Sequence, residues 1–167
     1  DRPDDPRFFR ISDRLAELGR FGQKTGRGFY RYEAPGSPRQ NDPEVAGIIR
    51  AEAAKLGIAE RAIDEREIVE RCIYALVNEG ARILDEGIAA SPADIDVIWC
   101  NGYGFPRTRG GPMFHADTVG LANVLAATRR YEREQGPRYW TPAPLLLRLA
   151  EQGGSFGQWQ AERGAVG

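Results

Sequence analysis

The sequence of 167 residues contains little histidine and little cysteine, and both shortages exclude kinds of site. A single histidine, His115, rules out a metal site built from several histidines. The two cysteines, Cys72 and Cys100, lack the spacing of a Cys-x-x-Cys pair and lie in apolar helical patterns. We therefore predict reduced thiols in the core of a protein in a reducing compartment, rather than a disulfide or a metal site.

Neither a long hydrophobic run nor an excess of charge is present. The longest uncharged apolar runs, such as "PAPLLL", are too short to span a bilayer, and no charged leader precedes a hydrophobic segment. A formal net charge of −1 leaves no electrostatic footprint for nucleic acid or anionic lipid. We expect a soluble protein with no membrane insertion. Because the sequence does not end in Ser-Lys-Leu, we also expect a cytoplasmic, bacterial location rather than a peroxisomal one.

No segment alternates apolar and polar residues as a half-buried strand does, so the predicted fold class is all-α. Helices are predicted over residues 6–19, 43–57 and 64–87, and a further helix starts at residue 92. Two of these starts carry cap signals, Asp42 before a proline and Ser91 before a proline. A longer helix should follow over residues 113–136, and a last one from residue 142.

Apolar residues at four-residue steps indicate the buried face of the helix over 64–87. The predicted face is broad and consists of Ile68, Cys72, Leu76, Gly80 and Leu84, flanked by Ile73, Val77 and Ile83. Glu70 is interpreted as a solvated charge on this helix. Asn78 and Glu79 fall beside the apolar face, where either one can hydrogen-bond a neighbouring loop.

An internal repeat suggests how the chain is organised. Leu-Ala-Glu followed by Phe-Gly-Gln occurs in "LAELGRFGQ" from residue 15 and again in "LAEQGGSFGQ" from residue 149. If each copy ends a helical unit, residues 1–39 are the tail of a preceding repeat with a linker, and residues 40–167 are one complete helical domain. Chance similarity between two glycine-terminated helices is the alternative.

Two glycine-rich segments invite comparison with nucleotide-binding loops. Neither "GRFGQKTGRGFY", residues 19–30, nor "NGYGFPRTRGGPM", residues 101–113, meets the G-x-G-x-x-G or the G-x-x-x-x-G-K-[ST] pattern, and no strand precedes them. We interpret the first as a turn. The second is a rigid cationic loop in which Arg107 and Arg109 can meet an anionic ligand, although surface arginines of no special role are commoner.

No constellation of residues indicates catalysis. His115, in "MFHAD", is interpreted as a partly buried helix residue with Asp117 nearby. No two carboxylates form a recognisable acid/base pair. The sequence therefore predicts no catalytic residue, no cofactor-binding residue and no metal ligand in this chain.

A family resemblance rests on "ERCIYALVNEGARILDEGIAASPADIDVIWCNGYGFPRTRGGPMFHADTVGL", residues 70–121. This stretch closely resembles the C-terminal helical domain of 3-hydroxyacyl-CoA dehydrogenases, above all the bifunctional enoyl-CoA hydratase/3-hydroxyacyl-CoA dehydrogenases of fatty acid β-oxidation. "RFGQKTGRGFYRY", residues 20–32, looks like the segment that closes their first helical repeat. The resemblance implies a helical bundle of the 6-phosphogluconate dehydrogenase C-terminal-like type, with one complete repeat and the tail of another.

The resemblance also implies a division of labour in a longer enzyme. That enzyme would oxidise (S)-3-hydroxyacyl-CoA with NAD held on an upstream nucleotide-binding domain, which also carries the catalytic histidine and its orienting glutamate. This chain would help to enclose acyl-CoA and would be inactive alone, and His115 is not the catalytic histidine. The alternative is a non-catalytic helical module for oligomerisation, and either reading permits a homodimer.

The same resemblance bears on the residues of the site. A functional asparagine of the family begins the long helix of the first repeat, and Glu70 stands at the equivalent place here, so that role is not carried over to Glu70 or to Asn78. In related proteins the residue just before the Gly-x-Gly-Phe-Pro loop contacts substrate, which implies this role for Asn101. Tyr103, inside the loop, is the second predicted substrate-binding residue.

Overall fold

The computed structural model describes residue 5 and residues 7–164. The chain divides into two compact units, Asp1–Ala62 and Ile63–Gly167. The described residues form eight α-helices and one small two-stranded sheet, which confirms the all-α class. The domain boundary predicted between residues 39 and 40 was drawn from the internal sequence repeat, whereas the two units are defined by contacts between residues. The predicted boundary therefore stays a prediction.

The first unit contains two helices and the sheet. Its elements are α1 (Arg10–Glu17), β1 (Tyr30–Arg31), β2 (Gln40–Asn41) and α2 (Pro43–Lys55). The strands are antiparallel, with Tyr30 opposite Asn41. The carboxylate of Asp42 accepts a hydrogen bond from the backbone N–H of Glu44 at 3.1 Å, so Asp42 caps α2 as predicted.

A buried arginine holds the glycine-rich turn of the first unit. Arg20 donates two hydrogen bonds to the carbonyl oxygen of Gly28, at 3.1 and 3.0 Å, and also pairs with Asp42 and Glu44. The hydrogen bond from Arg20 is the main reason why the pKa of Asp42 lies below its ordinary value. The predicted turn is therefore tied to the start of α2 by a side chain that the sequence did not single out.

The second unit is a bundle of six helices. They are α3 (Glu65–Asp85), α4 (Pro92–Gly102), α5 (Pro112–Val119), α6 (Leu121–Gln135), α7 (Pro144–Glu151) and α8 (Phe156–Gly164). Helix α3 packs against α5, α6 and α7. The single helix predicted over 113–136 is broken at Gly120, whose φ of 90° no α-helix contains, and α8 was not predicted.

The predicted buried face of α3 is wrong in its N-terminal half. Ile68 is 51% exposed and Cys72 is exposed, whereas Val77, Gly80 and Leu84 are buried as predicted. The reason is geometric, because each four-residue step turns about 400° around the helix axis and drifts about 40° from the starting face. The observed stripe alternates steps of four and three through Glu70, Tyr74, Val77, Ala81 and Leu84, and Asn78 and Gly80 are buried beside it. Cys72 is therefore no core thiol, and Cys100 is only half-buried.

Asn78 is buried on α3 and fixes the loop that precedes α7. Its Nδ2 donates to the carbonyl oxygens of Tyr139 and Thr141, at 3.3 and 2.9 Å, and its Oδ1 accepts from the N–H of Ala143 at 2.8 Å. The prediction that Asn78 hydrogen-bonds a neighbouring loop is confirmed. Glu79 instead lies at the surface beside Arg82.

Candidate functional site

A groove of about 520 Å³ lies between α4 and α5 in the second unit. Its apolar walls are formed by Ala93, Val97 and Phe114, and its polar lining by Asp96, Asn101 and Arg107. Cys100 also lines the groove, so three of the lining residues, Cys100, Asn101 and Arg107, were singled out in the sequence. We refer to this feature as the α4/α5 groove.

Local sequence signals place the first wall of the groove. The hydroxyl oxygen of Ser91 accepts from the N–H of Asp94 at 3.1 Å, which confirms the predicted start of α4. Ile95 is buried as expected, whereas Ile98 is 57% exposed and Trp99 only half-buried, so the predicted core side of α4 is right only in part. Helix α4 then ends at Gly102.

Asp96 joins α4 to the first turn of α5. Its two carboxylate oxygens accept hydrogen bonds from the N–H groups of Met113 at 2.7 Å and Phe114 at 3.0 Å. Gly111, with a φ of 107°, passes so close that a Cβ there would lie 2.3 Å from the Asp96 Cβ. The width of the groove is thus set by a carboxylate and a glycine whose roles the sequence pattern did not reveal.

The carboxyl of Asp96 is harder to ionise than an ordinary aspartate. Burial raises its pKa, two backbone hydrogen bonds lower it again, and nearby Asp117 adds a further rise, with a net shift upward. Both carboxylate oxygens already accept hydrogen bonds from backbone N–H groups, so the carboxylate holds the first turn of α5 in place. Its geometry suits a structural role better than that of a general base.

Asn101 lies at the C-terminal end of α4 with its amide held from two sides. Its Nδ2 donates to the carbonyl oxygen of Val97 at 2.8 Å, and its Oδ1 accepts from Nη2 of Arg107 at 2.9 Å. An amide has two N–H donors and two acceptor lone pairs, so one donor and one acceptor remain for a ligand. Asn101 can therefore bind a polar group at the mouth of the groove.

The second predicted residue, Tyr103, does not line the groove. Its side chain is 70% exposed, and its ring lies 4.7 Å from that of Trp99 between centroids. Phe105, two residues further on, is buried and anchors the loop. The structure thus brings Asn101 and Arg107 together and leaves Tyr103 outside, and substrate contact at Asn101 and Tyr103 stays a prediction.

His115 is a partly buried residue of α5, as predicted, and the carboxylate of Asp117 binds elsewhere. Both oxygens of Asp117 accept from the first N–H groups of α8, those of Phe156 at 2.8 Å and Gly157 at 2.9 Å. His115 is half-buried, and burial together with the nearby charge of Arg109 lowers its pKa. Among the described residues, no group of three or more His, Cys, Asp or Glu side chains is placed to hold a metal ion.

The comparisons with known proteins place the second unit in a family. Residues 68–163 match the family described as "3-hydroxyacyl-CoA dehydrogenase, C-terminal domain". The chain belongs to this family. The resemblance found in the sequence is thereby confirmed for this C-terminal domain.

Curated relatives extend the match across most of the chain. It is 46% identical over 163 residues to the "Peroxisomal bifunctional enzyme" of Homo sapiens, covering 95% of the chain and 22% of the relative. The "Fatty acid oxidation complex subunit alpha" of Shewanella loihica is 36% identical over 145 residues, covering 86% of the chain and 19% of the relative. The chain thus spans about a fifth of the length of these relatives.

A solved structure has a similar fold. The dehydrogenase part of multifunctional enzyme 1 from C. elegans superposes with a TM-score of 0.61 and 28% sequence identity, covering 83% of this chain and 32% of that one.

In the part of the chain that the structure describes, no helix has both the length and the apolar character needed to cross a membrane.

One buried carboxylate in the C-terminal domain escaped sequence reasoning. Glu70, interpreted as a solvated charge, is only 6% exposed and accepts hydrogen bonds from Arg66 at 2.8 Å, Tyr131 at 2.8 Å and Arg130. Burial alone would raise the pKa of Glu70, but these three hydrogen bonds bring it below its ordinary value. The available signal was the position of Glu70 at the head of the buried stripe, four residues after an arginine.

Proposed function

We propose that the chain is the C-terminal part of an NAD-dependent (S)-3-hydroxyacyl-CoA dehydrogenase of fatty acid β-oxidation, fused to an enoyl-CoA hydratase. The observation that carries this proposal is the family match over residues 68–163, together with the identity to bifunctional enzymes. In the proposal residues 1–39 are the tail of the preceding helical repeat and residues 40–167 the C-terminal helical domain. The upstream domains hold NAD and supply the catalytic histidine and glutamate.

The α4/α5 groove supports a binding role for this chain. Val97 and Phe114 offer apolar surface to an acyl or pantetheine chain, while Asn101 retains a donor and an acceptor for an amide. Arg107 keeps further N–H donors beside the one that it gives to Asn101. Both oxygens of Asp96 accept backbone N–H groups, so in the proposal the groove binds and orients a ligand.

The proposed binding role is tested by measuring KM and kcat separately for variants of the full-length enzyme. Asn101→Ala and Arg107→Gln should each raise the KM for 3-hydroxyacyl-CoA about tenfold and leave kcat nearly unchanged, because they remove binding that is equal in ground and transition states. Arg129→Gln is the control, since Arg129 lies outside the groove beside Glu151. Unchanged KM in both groove variants would contradict the proposed site.

A second function is favoured by apolar side chains on the same helices. Val97, Ile98, Tyr103 and Phe114 are all more than half exposed, which is typical of a contact surface. If the chain is a non-catalytic oligomerisation module, it should self-associate, and Phe114→Asp should weaken that association. A strict monomer in concentrated solution, measured by analytical ultracentrifugation, would contradict this alternative.

The cellular location stays a prediction. Vertebrate relatives are named as peroxisomal enzymes, whereas the expectation from the sequence is a cytoplasmic one. Microscopy of the tagged full-length protein in its own cell distinguishes the two.

A further inference from the structure

A second cavity, of about 440 Å³, lies between α3 and α6 and is lined by an unusual number of arginines. Its polar lining comprises Arg66, Glu70, Tyr74, Asn123, Arg130 and Arg133. We refer to it as the arginine cavity. None of these residues lines the α4/α5 groove.

The buried carboxylate at the base of this cavity orients two of the arginines. Nε of Arg66 donates to Oε1 of Glu70, and Nη2 of Arg130 donates to Oε2. Each guanidinium has five N–H donors, so most donors of both side chains remain for another acceptor. Glu70 therefore pairs with both guanidinium groups without saturating them.

The cavity carries more positive charge than its carboxylate balances. Arg133 has no ion-pair or hydrogen-bond partner among the described residues, so three arginines stand against one glutamate. The excess is two positive charges, which matches the charge of a phosphate dianion or a diphosphate group.

An unpartnered hydroxyl points to the same kind of ligand. Tyr74 is only 7% exposed, lines the cavity, and makes no hydrogen bond within the described part of the chain. Burial and the charge of Glu70 raise the pKa of Tyr74, which keeps its hydroxyl protonated at neutral pH. The hydroxyl oxygen itself keeps contact with solvent at the cavity, so it can donate a hydrogen bond to an acceptor bound there.

We propose that the arginine cavity binds the phosphoryl group of a phosphate monoester or a diphosphate. Arg66, Arg130 and Arg133 hold its oxygens from three directions, and Tyr74 donates to one of them. Phosphoryl oxygens outnumber those of a carboxylate and accept the forked geometry of several guanidinium groups at once. This proposal concerns the second unit alone and does not depend on the proposed enzymatic function.

Calorimetric titration of this chain with inorganic pyrophosphate at low ionic strength tests the proposal. We expect one saturable site whose affinity falls as salt is added, because charged groups are screened. Arg133→Gln should weaken binding about tenfold, and Tyr74→Phe by about fivefold, as charge-assisted and neutral hydrogen bonds are lost. Circular dichroism of both variants verifies that they are folded.

Arg129→Gln is the matched control for Arg133→Gln, because both substitutions remove one positive charge from α6. Arg129 does not line the cavity and contacts Glu151 instead. Its affinity for pyrophosphate should stay within twofold of the unaltered chain. Equal losses in Arg129→Gln and Arg133→Gln, or no saturable binding at millimolar pyrophosphate, would overturn the proposal.

Parallel titrations identify the source of the phosphoryl group. Coenzyme A, dephospho-coenzyme A and inorganic phosphate present a monoester with a diphosphate, a diphosphate alone, and a free ion. Binding of coenzyme A that Arg133→Gln weakens assigns the site to a phosphorylated cofactor, whereas equal binding of inorganic phosphate assigns it to the free ion. If these titrations show no binding, the phosphoryl site is refuted, but the KM test of the α4/α5 groove still stands because it concerns different residues.

Discussion

The α4/α5 groove contains a half-buried carboxylate, Asp96, and the arginine cavity a buried one, Glu70, and the two are satisfied in opposite ways. Asp96 receives only neutral backbone N–H donors, and burial raises its pKa. Glu70 is more deeply buried, yet it is surrounded by cationic and hydroxyl donors, which lower its pKa. The comparison teaches that the partners of a buried carboxylate, more than its depth, decide whether its charge is favourable.

The largest expected effect concerns the close approach at Asp96. Gly111→Ala should lower the free energy of unfolding by about 4 kcal/mol, for two reasons. The backbone conformation at Gly111 is one that only glycine adopts readily, and the added Cβ would overpack against Asp96. Gly136→Ala is the matched control, because Gly136 has nearly the same backbone angles and open space around its Cβ position.

For Gly136→Ala we expect a loss of only about 2 kcal/mol, from backbone strain alone. Urea denaturation of both variants measures the difference. Equal losses would show that contact with Asp96 does not limit the spacing of α4 and α5.

The next effect compares the two carboxylates through isosteric amides. Glu70→Gln should cost about 2 kcal/mol of unfolding free energy at neutral pH, because it removes the favourable charge between Arg66 and Arg130. Asp96→Asn should cost about 1 kcal/mol, since one backbone N–H loses its acceptor while an unfavourable buried charge disappears. The reverse order, measured in urea, would contradict the contrast between the two sites.

Acid titration should give these two variants opposite slopes. The folded pKa of Glu70 lies below the ordinary value of 4.5, so its stabilisation is present above that pH and is lost as the pH falls through the folded pKa. The folded pKa of Asp96 lies above 3.8, so the penalty for its charge appears as the pH rises through that folded value.

The destabilisation caused by Glu70→Gln should therefore grow with rising pH, and that caused by Asp96→Asn should shrink. Unfolding free energies from urea melts at a series of acidic pH values measure both trends. Parallel trends would mean that one of the two shifts has the wrong sign.

The smallest expected effect involves His115, the only histidine of the chain. Burial and Arg109 hold its folded pKa below the ordinary value of 6.5, so stability should fall as the pH drops from about 6.5 towards that lower value. His115→Gln should flatten this part of the curve, whereas the slopes that arise from Glu70 and Asp96 should persist. An unchanged curve would show that His115 titrates as it does in the unfolded chain.

Local signals in the sequence predicted most of the helices. Asp42 and Ser91 mark helix starts because a capping side chain bonds an N–H group only two or three residues away. The break at Gly120 was missed, because a glycine inside an apolar helical pattern gives no sign of its backbone angles. The short helix α8 was missed as well, although Asp117 caps it from 39 residues before Phe156.

The site was predictable only where a motif marks it. Asn101 and Arg107 belong to a recognisable loop and do line the α4/α5 groove, but the same loop did not reveal that Tyr103 stays outside. Asp96 binds N–H groups 17 and 18 positions away, and Glu70 binds Arg130, 60 positions away, so the local arginine four residues before Glu70 shows only part of its surroundings. Long-range partners of this kind emerge only from the packed helices.

The most direct test of the central claim is NADH formation by the purified chain supplied with (S)-3-hydroxyacyl-CoA and NAD, with the full-length enzyme as positive control. If this chain contributes only a binding surface while the reacting groups lie on upstream domains, the absorbance of NADH stays at background for the chain and rises for the full-length enzyme. Sustained NADH formation by the chain alone would contradict that division of labour.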